Sequence, residues 1–130
     1  MKTFYMLRFM VLSVSLTLGS VVAFGQIITS GADDGSAGTL RSQIAAASPG
    51  ATLSVDLTVS NILLANGQIT VDKNLTINGN IFGTTTIDGD GLDRIFDVTS
   101  GTLTLNNLTL TNGVAGNGGA IQVVGADLIL

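Results

Sequence analysis

Short apolar segments recur at a nearly constant spacing along this 130-residue chain. The segments at residues 96–98 and 103–105 match those at 121–123 and 128–130 at an offset of 25, with no gap. Repeats of about 20 to 50 residues are the signature of solenoids, propellers and other arrays. A unit of this size holds two or three short strands and cannot bury its apolar side alone, so neighbouring units must stack.

An earlier repeat supports the same period. Residues 69–71 and 75–77 precede the unit that starts at residue 96 at an offset of 27, with one gap. A competing register relates residues 74–77 to 107–110 at an offset of 33. We prefer the shorter register because its two spacings nearly agree. Residues 107–110 are then a third strand of the middle unit.

Each repeated segment has the alternation of a half-buried strand. In the first of them, Leu53, Val55 and Leu57 alternate with Ser54 and Asp56. Asn-Gly, Asp-Gly, Gly-Gly and Ser-Gly pairs separate the segments and mark turns. The sequence therefore predicts an all-β fold, a parallel β-solenoid over residues 51–130. An antiparallel sandwich is the alternative, but three-residue strands suit it poorly and it leaves the repeat unexplained.

A short helix is predicted before the strands, within an N-terminal segment at residues 26–50. The helical spacing covers about residues 39–47, with Thr39 as N-cap and Pro49 as the stop. Its apolar face can cover the first turn of the solenoid, whose end is otherwise an open sheet edge. The residues on that face are Leu40, Ile44 and Ala47.

The last residue, Leu130, falls inside an apolar strand. We expect either that the chain is a fragment of a longer product or that its last edge pairs with another chain, and we favour the fragment.

Residues 1–25 have the three-part pattern of an export signal. Lys2 and Arg8 supply the positive start, residues 9–23 are almost wholly apolar, and small residues precede a predicted cleavage site before Gln26. The apolar run is short for a membrane span, which needs about 20 residues. An uncleaved anchor is the alternative. Export predicts a bacterial cell-surface, outer-membrane or extracellular location.

Composition excludes several classes of function. The chain has no Cys and no His, so disulfide frameworks, thiolate metal sites and His-based catalysis are excluded. Removal of the signal leaves three basic residues and nine Asp, a formal net charge of −6. Such a chain is a poor nucleic-acid binder.

Four stretches carry a resemblance to a known family. Residues 38–50 resemble the N-terminal capping segment of bacterial right-handed parallel β-helix surface proteins, which share the pectin-lyase-like fold; residues 73–79 and 86–96 are similar to their coils. Residues 118–121, Gly-Gly-Ala-Ile, resemble a repeat of polymorphic outer membrane proteins and autotransporter-like adhesins, although the companion Phe-x-x-Asn motif is absent. The resemblance covers about residues 27–130.

The resemblance implies an exported, non-catalytic stalk or adhesin-like module at the cell surface. Its partners would be host or surface glycans or proteins, and any membrane attachment would come from C-terminal parts that lie outside this chain. Because the same fold also hosts polysaccharide lyases and hydrolases, the N-terminal part of a carbohydrate-active enzyme is an alternative. A truncated, nonfunctional reading frame is a third.

The densest carboxylate cluster lies on one Gly-rich turn. Asp88, Asp90 and Asp93 could converge on Ca²⁺, which takes oxygen ligands. The EF-hand pattern is not met, because Leu92 occupies a ligand position and no Glu follows. The alternative is a solvated turn whose charge Arg94 offsets.

The same acids invite a catalytic interpretation, since paired carboxylates serve glycoside hydrolysis. However, no aromatic platform for sugars accompanies them. The groups considered for acid and base roles are Asp88, Asp90, Asp93, Asp97, Lys73 and Arg94. We expect no catalytic residues and no cofactor other than a possible calcium ion.

Overall fold

The computed structural model describes residues 25–130. The export signal predicted for residues 1–25 lies, apart from Gly25, outside the described residues. No helix within the described range has the length and apolar character that crossing a membrane requires.

Residues 25–130 form eleven strands and one helix, most of them very short. In chain order they are β1 (Gln26–Ile28), α1 (Leu40–Ala46), β2 (Ala51–Val55), β3 (Asn61–Leu63), β4 (Ile69–Val71), β5 (Leu75–Asn78), β6 (Thr85–Asp88), β7 (Phe96–Val98), β8 (Thr102–Asn106), β9 (Leu108–Thr111), β10 (Ile121–Val123) and β11 (Asp127–Ile129).

The strands stack into three parallel sheets that run along a solenoid of about four turns. One sheet has the order β1-β2-β5-β8-β11, the second β3-β6-β9 and the third β4-β7-β10. Each complete turn therefore contributes one strand to each sheet. The first turn holds β1 and α1, and the next three hold β2–β4, β5–β7 and β8–β10. The predicted parallel β-solenoid is confirmed, and the antiparallel sandwich is wrong.

Strand pairing confirms the repeat spacing. Phe96 pairs with Ile69 on one side and with Ile121 on the other, which are the predicted offsets of 27 and 25 along the sequence. Leu75 pairs with Leu103, and not with Leu108 as the offset of 33 would require. Apolar residues thus stack on one another along the solenoid, which is how each turn covers the apolar side of its neighbour.

Two details of the predicted strands are wrong. Strand β2 ends at Val55, and Leu57 is exposed instead of pointing inward. The cause is Asp56, whose Oδ1 accepts hydrogen bonds from the Thr58 backbone N–H at 2.9 Å and from its hydroxyl at 2.6 Å. This local turn takes the chain out of the extended conformation.

Strands β3 and β6 are the second detail, since the alternation in the sequence does not predict them. Each has a single buried aliphatic residue, Ile62 in β3 and Ile87 in β6. In β3 this leaves no period of two. In β6 the second inward residue is the polar Thr85, so neither strand shows the alternation of aliphatic residues that identifies the other strands.

The core is a column of aliphatic side chains closed at its first turn by α1. Leu40, Ile44 and Ala47 are buried in that core, which confirms the predicted apolar face of the helix. Thr39 is the N-cap, and its hydroxyl accepts a hydrogen bond from the Ser42 N–H at 3.3 Å. Phe96, fully buried, is the largest side chain in the core.

Candidate functional site

Strands β2, β5 and β8, the three central strands of their sheet, present an uncharged polar surface, whereas the edge strand β11 carries the exposed Asp127 and Ile129. Two columns of side chains stand in register along the uncharged surface. They are Thr52, Thr76 and Thr104 in one column and Ser54, Asn78 and Asn106 in the other. Within the second column, the Asn106 side-chain amide donates to the Asn78 side-chain oxygen at 2.8 Å. The inward residues of the same strands are buried aliphatics, so the sheet holds these polar groups on a rigid base.

The Asp88–Asp93 segment is a turn between β6 and β7. Asp88 is the last residue of β6, and its Oδ1 accepts from the Asp90 N–H and from the Asn112 side-chain amide, both at 2.9 Å. Asp90 has a φ of 56°, the left-handed conformation that Asp tolerates in turns. One carboxylate oxygen of Asp88 is thus occupied in shaping the turn and in tying it to the next one.

The third predicted calcium ligand also bonds to backbone. The Asp93 Oδ1 accepts from the Arg94 N–H at 2.8 Å. Across residues 25–130, no three metal-ligating side chains of the Asp, Glu, His or Cys type lie grouped so that they could hold an ion. Calcium binding by Asp88, Asp90 and Asp93 stays a prediction, and it requires these side chains to move toward one another when the ion binds.

The groups considered for catalysis take separate roles. Asp97 faces outward on β7, where its Oδ2 accepts from the Gln68 side-chain amide at 3.4 Å. The Lys73 ammonium donates to the carbonyls of Ile44 and Ala47 at 3.3 and 3.1 Å, at the C-terminal end of α1. A cation there interacts favourably with the unpaired carbonyls of the helix end.

Arg94 differs from Arg41 and Lys73, the other cations in the described part of the chain. Its Nε and Nη1 are buried and have no hydrogen-bond acceptor. Buried donors without acceptors are destabilising by about 1 to 3 kcal/mol each, so we expect this guanidinium to contribute less to the stability of the fold than that of Arg41. Its backbone N–H, in contrast, is bonded to Asp93.

Sequence reasoning did not find the most buried charge. The Asp33 side chain is 1% exposed, and its two oxygens accept from Arg41 Nε at 2.6 Å and Nη2 at 2.8 Å. Burial raises the pKa of Asp33, but hydrogen bonds from Arg41 and from the Asn66 backbone N–H outweigh it and hold the pKa below its usual value. The Asp33–Arg41 pair lies in an unrepeated segment, and no period in the sequence signals it.

Arg41 also joins the first turn to the second. Its Nη1 and Nη2 donate to the carbonyls of Gln68 and Gly67 at 3.0 and 2.7 Å. Asn66 completes the network, because its backbone N–H donates to Asp33 Oδ2 at 2.8 Å and its side-chain amide donates to the Asp33 carbonyl. We call the network of Asp33, Arg41 and Asn66 the clamp. Its polar groups bond to one another and to backbone carbonyls, which indicates a structural role.

No family model, curated protein or solved structure matches this chain. Its functional interpretation therefore depends on its own residues.

Proposed function

We propose that this chain is an exported, non-catalytic β-solenoid module that acts at the bacterial cell surface as a stalk or adhesin-like binding surface. The observation that carries the proposal is the in-register, uncharged face formed by Thr52, Thr76 and Thr104 beside Ser54, Asn78 and Asn106. Hydroxyl and amide groups on a rigid base suit neutral, hydrogen-bonding partners such as glycans. The chain has a net charge of −6 after removal of the predicted signal. A face without charged side chains therefore differs from the rest of this acidic surface.

The separation of the candidate acid and base groups favours binding over catalysis. General acid–base catalysis requires positioned groups within reach of one substrate atom. Here Lys73 is bonded to the end of α1, and Asp97 pairs with Gln68. A carbohydrate-active enzyme, with or without calcium, is the alternative that the tests below separate from a binding module.

Export is tested by expressing the whole chain in a bacterium and sequencing the N-terminus of the protein recovered from the envelope and medium. We expect a mature protein that starts at Gln26. The matched control replaces two residues of the apolar run, Leu16→Arg with Leu18→Arg, which should keep the protein in the cytoplasm unprocessed. Recovery of wild-type protein only from the cytoplasm, at full length, contradicts the export part of the proposal.

Binding is tested on an array of neutral and acidic polysaccharides with wild-type protein and a Thr76→Lys variant. The substitution places a charge in the middle of the face, so a neutral glycan held there should bind at least about tenfold more weakly. The control is Thr70→Lys, on the outer face of the β4-β7-β10 sheet, which should leave binding unchanged. Depolymerisation of any polysaccharide on the array, abolished by Asp88→Asn or Asp97→Asn, would instead support the enzyme.

Calcium is tested by the melting temperature of the protein with and without the ion. A site that binds only the folded chain raises the melting temperature as calcium increases. An Asp90→Asn variant should lose the shift. If the wild-type melting temperature does not respond, the calcium prediction for Asp88, Asp90 and Asp93 is wrong.

A further inference from the structure

One corner of the solenoid exposes three large apolar side chains. Phe82 is 82% exposed and Ile81 75% exposed, as neighbours in the loop between β5 and β6. Leu57, 56% exposed, lies in the corresponding loop of the preceding turn. We call these three residues the apolar corner. Large apolar side chains grouped on a surface mark sites of interaction with proteins, ligands or membranes.

The loop that carries the apolar corner is held in place by buried polar groups. The side-chain amide of the buried Asn80 donates to the Leu57 carbonyl at 3.0 Å, and its side-chain oxygen accepts from the Phe82 N–H at 2.8 Å. Asn107, from the next turn, donates to the carbonyls of Asn80 and Gly83. The tip is therefore preorganised, which lowers the entropy lost on binding.

Nothing in the fold requires an apolar tip. The Phe82 and Ile81 side chains project into solvent, and the hydrogen bonds that form the loop use Asn80 and the backbone. Polar residues at both positions would make the same turn. The apolar pair is thus best explained by a partner that removes it from water, since burial of large apolar side chains is favourable.

The surroundings of the apolar corner disfavour a sugar. Both polar ends of the Asn80 side chain are used inside the loop, so they are not available to the hydroxyls of a glycan. Residues 79–84 carry no charge. The acid beside Leu57, Asp56, is bonded to Thr58, and these hydrogen bonds lower its pKa and keep it negatively charged, so it also repels an anionic partner.

The surroundings of the apolar corner also disfavour a partner with an anionic surface. Among the described residues, Arg41 and Lys73 are bonded at the first turn and at α1, and Arg94 has two buried guanidinium nitrogens at the start of β7. None of these cations belongs to the loops of the apolar corner. A partner with an apolar interior and an uncharged surface matches this composition.

We infer that the apolar corner inserts Phe82 and Ile81 into the interface of an uncharged lipid bilayer, with Leu57 at the membrane surface. A projecting apolar pair fits a fluid acyl region, which needs no preformed pocket, as in other interfacial anchors. Because two or three side chains are involved, the binding is weak and reversible. This inference does not depend on the glycan-binding face, which belongs to strands β2, β5 and β8 and is tested separately.

The chain contains no Trp, so a single introduced Trp reports on its own position. The test compares Phe82→Trp with Leu92→Trp, using vesicles of phosphatidylcholine and the same lipid brominated in its acyl chains. Leu92 is a matched control because it is 60% exposed but lies in the acidic Asp88–Asp93 turn. We expect the emission of Phe82→Trp to shift to the blue on vesicles and to be quenched by bromine, while the emission of Leu92→Trp stays unaffected.

The site-specific signal separates the apolar corner from the apolar N-terminal residues, which both variants share. Equal quenching of the two variants, or no quenching of Phe82→Trp, overturns the inference. A blue shift of Phe82→Trp that rises with protein concentration and occurs without lipid also overturns it, because the occupant is then a second copy of the chain.

Vesicle sedimentation supplies the second measurement. Phe82→Ser should lower partition into phosphatidylcholine vesicles about tenfold relative to Leu92→Ser. Both positions are exposed, so both variants should keep the wild-type melting temperature, which verifies that they are folded. Equal partition of the two folded variants contradicts insertion through the apolar corner.

Discussion

The first turn of the solenoid and the turns that follow it are stabilised in different ways. In the β5–β7 turn, each strand lies between two others, and apolar residues stack in register, as Ile69, Phe96 and Ile121 do. The first turn has a strand partner on one side only, since β1 pairs with β2 alone. It is closed instead by α1 and by the buried Asp33–Arg41 pair.

The difference shows what a repeat does and does not provide. A repeated turn is stabilised by its neighbours through aliphatic burial and parallel hydrogen bonds, which need no special residue. A terminal turn lacks one neighbour and uses contacts that occur once: a helix cap at Thr39, a cation at the helix end from Lys73 and a buried ion pair. Substitutions in the two regions should therefore have different consequences.

The largest effect is expected in the middle turns. Phe96 is fully buried and stacks between Ile69 and Ile121, so Phe96→Ala leaves a cavity that the neighbouring turns cannot close. Loss of a buried Phe side chain lowers the free energy of unfolding by about 3 to 5 kcal/mol. Equilibrium denaturation with urea, monitored by circular dichroism, measures this loss in the free energy of unfolding.

The chain supplies its own control for this prediction. Phe82→Ala removes the same atoms from an exposed side chain and should change the free energy of unfolding by less than about 0.5 kcal/mol. Similar losses for the two variants would mean that Phe96 does not lie in the stacked core.

The second largest effect is expected at the first turn. Arg41→Met leaves the Asp33 carboxylate buried without its partner and removes the hydrogen bonds to Gly67 and Gln68. Removal of one member of a buried pair is destabilising by about 3 to 5 kcal/mol, and the 27% exposure of Arg41 lets water reach the site, so we expect about 2 kcal/mol in urea denaturation. The double variant Asp33→Asn with Arg41→Met should recover part of this lost free energy of unfolding, because it no longer buries an unpaired carboxylate.

Arg94→Met is the matched control. Its Nε and Nη1 are buried without acceptors, so Met at this position removes unsatisfied donors and keeps most of the apolar contact. The free energy of unfolding should stay unchanged or rise. If Arg94→Met destabilises the protein as much as Arg41→Met, the two guanidinium groups have equivalent roles and the clamp at the first turn has no special importance.

The two regions also differ in how much of them the sequence predicts. The period of two within most strands and the regular recurrence of the apolar segments at Ile69, Phe96 and Ile121 are local and repeated, so they predict the stacking correctly. The face of α1 follows from helical spacing in the same way. Strand β3, with Ile62 as its single buried residue, carries too little alternation to be found.

The contacts that occur once escape prediction for a different reason. Asp33 lies in a Gly-rich segment that looks like solvated loop, and its burial depends on Arg41 and Asn66, which the fold brings together from 8 and 33 residues away. Lys73 is a possible base in the sequence, but the fold places its ammonium at the end of α1. Such pairings have no local signal in one sequence.

The pH dependence of stability should follow Asp33. Because its pKa is lower in the folded chain, the folded state binds this proton less readily than the unfolded state. The stabilisation is therefore fully present above the unfolded pKa of about 4 and is lost as the pH falls through the lower folded value. The difference in unfolding free energy between wild type and Asp33→Asn should be constant from about pH 5 to 7 and shrink below about pH 4. If this difference in unfolding free energy grows as the pH falls, the predicted direction of the pH dependence is wrong.

The smallest effect distinguishes the end of α1 from the surface beside it. Lys73→Gln removes the cation that bonds the carbonyls of Ile44 and Ala47, so the free energy of unfolding should fall by about 0.5 to 1 kcal/mol. Asp72→Asn is the control, because this carboxylate is exposed and 3.9 Å from the Lys73 ammonium, a surface pair worth little. If the two variants lose the same stability in urea denaturation, and high salt removes both losses, Lys73 acts through the surface pair and not through the helix that closes the first turn.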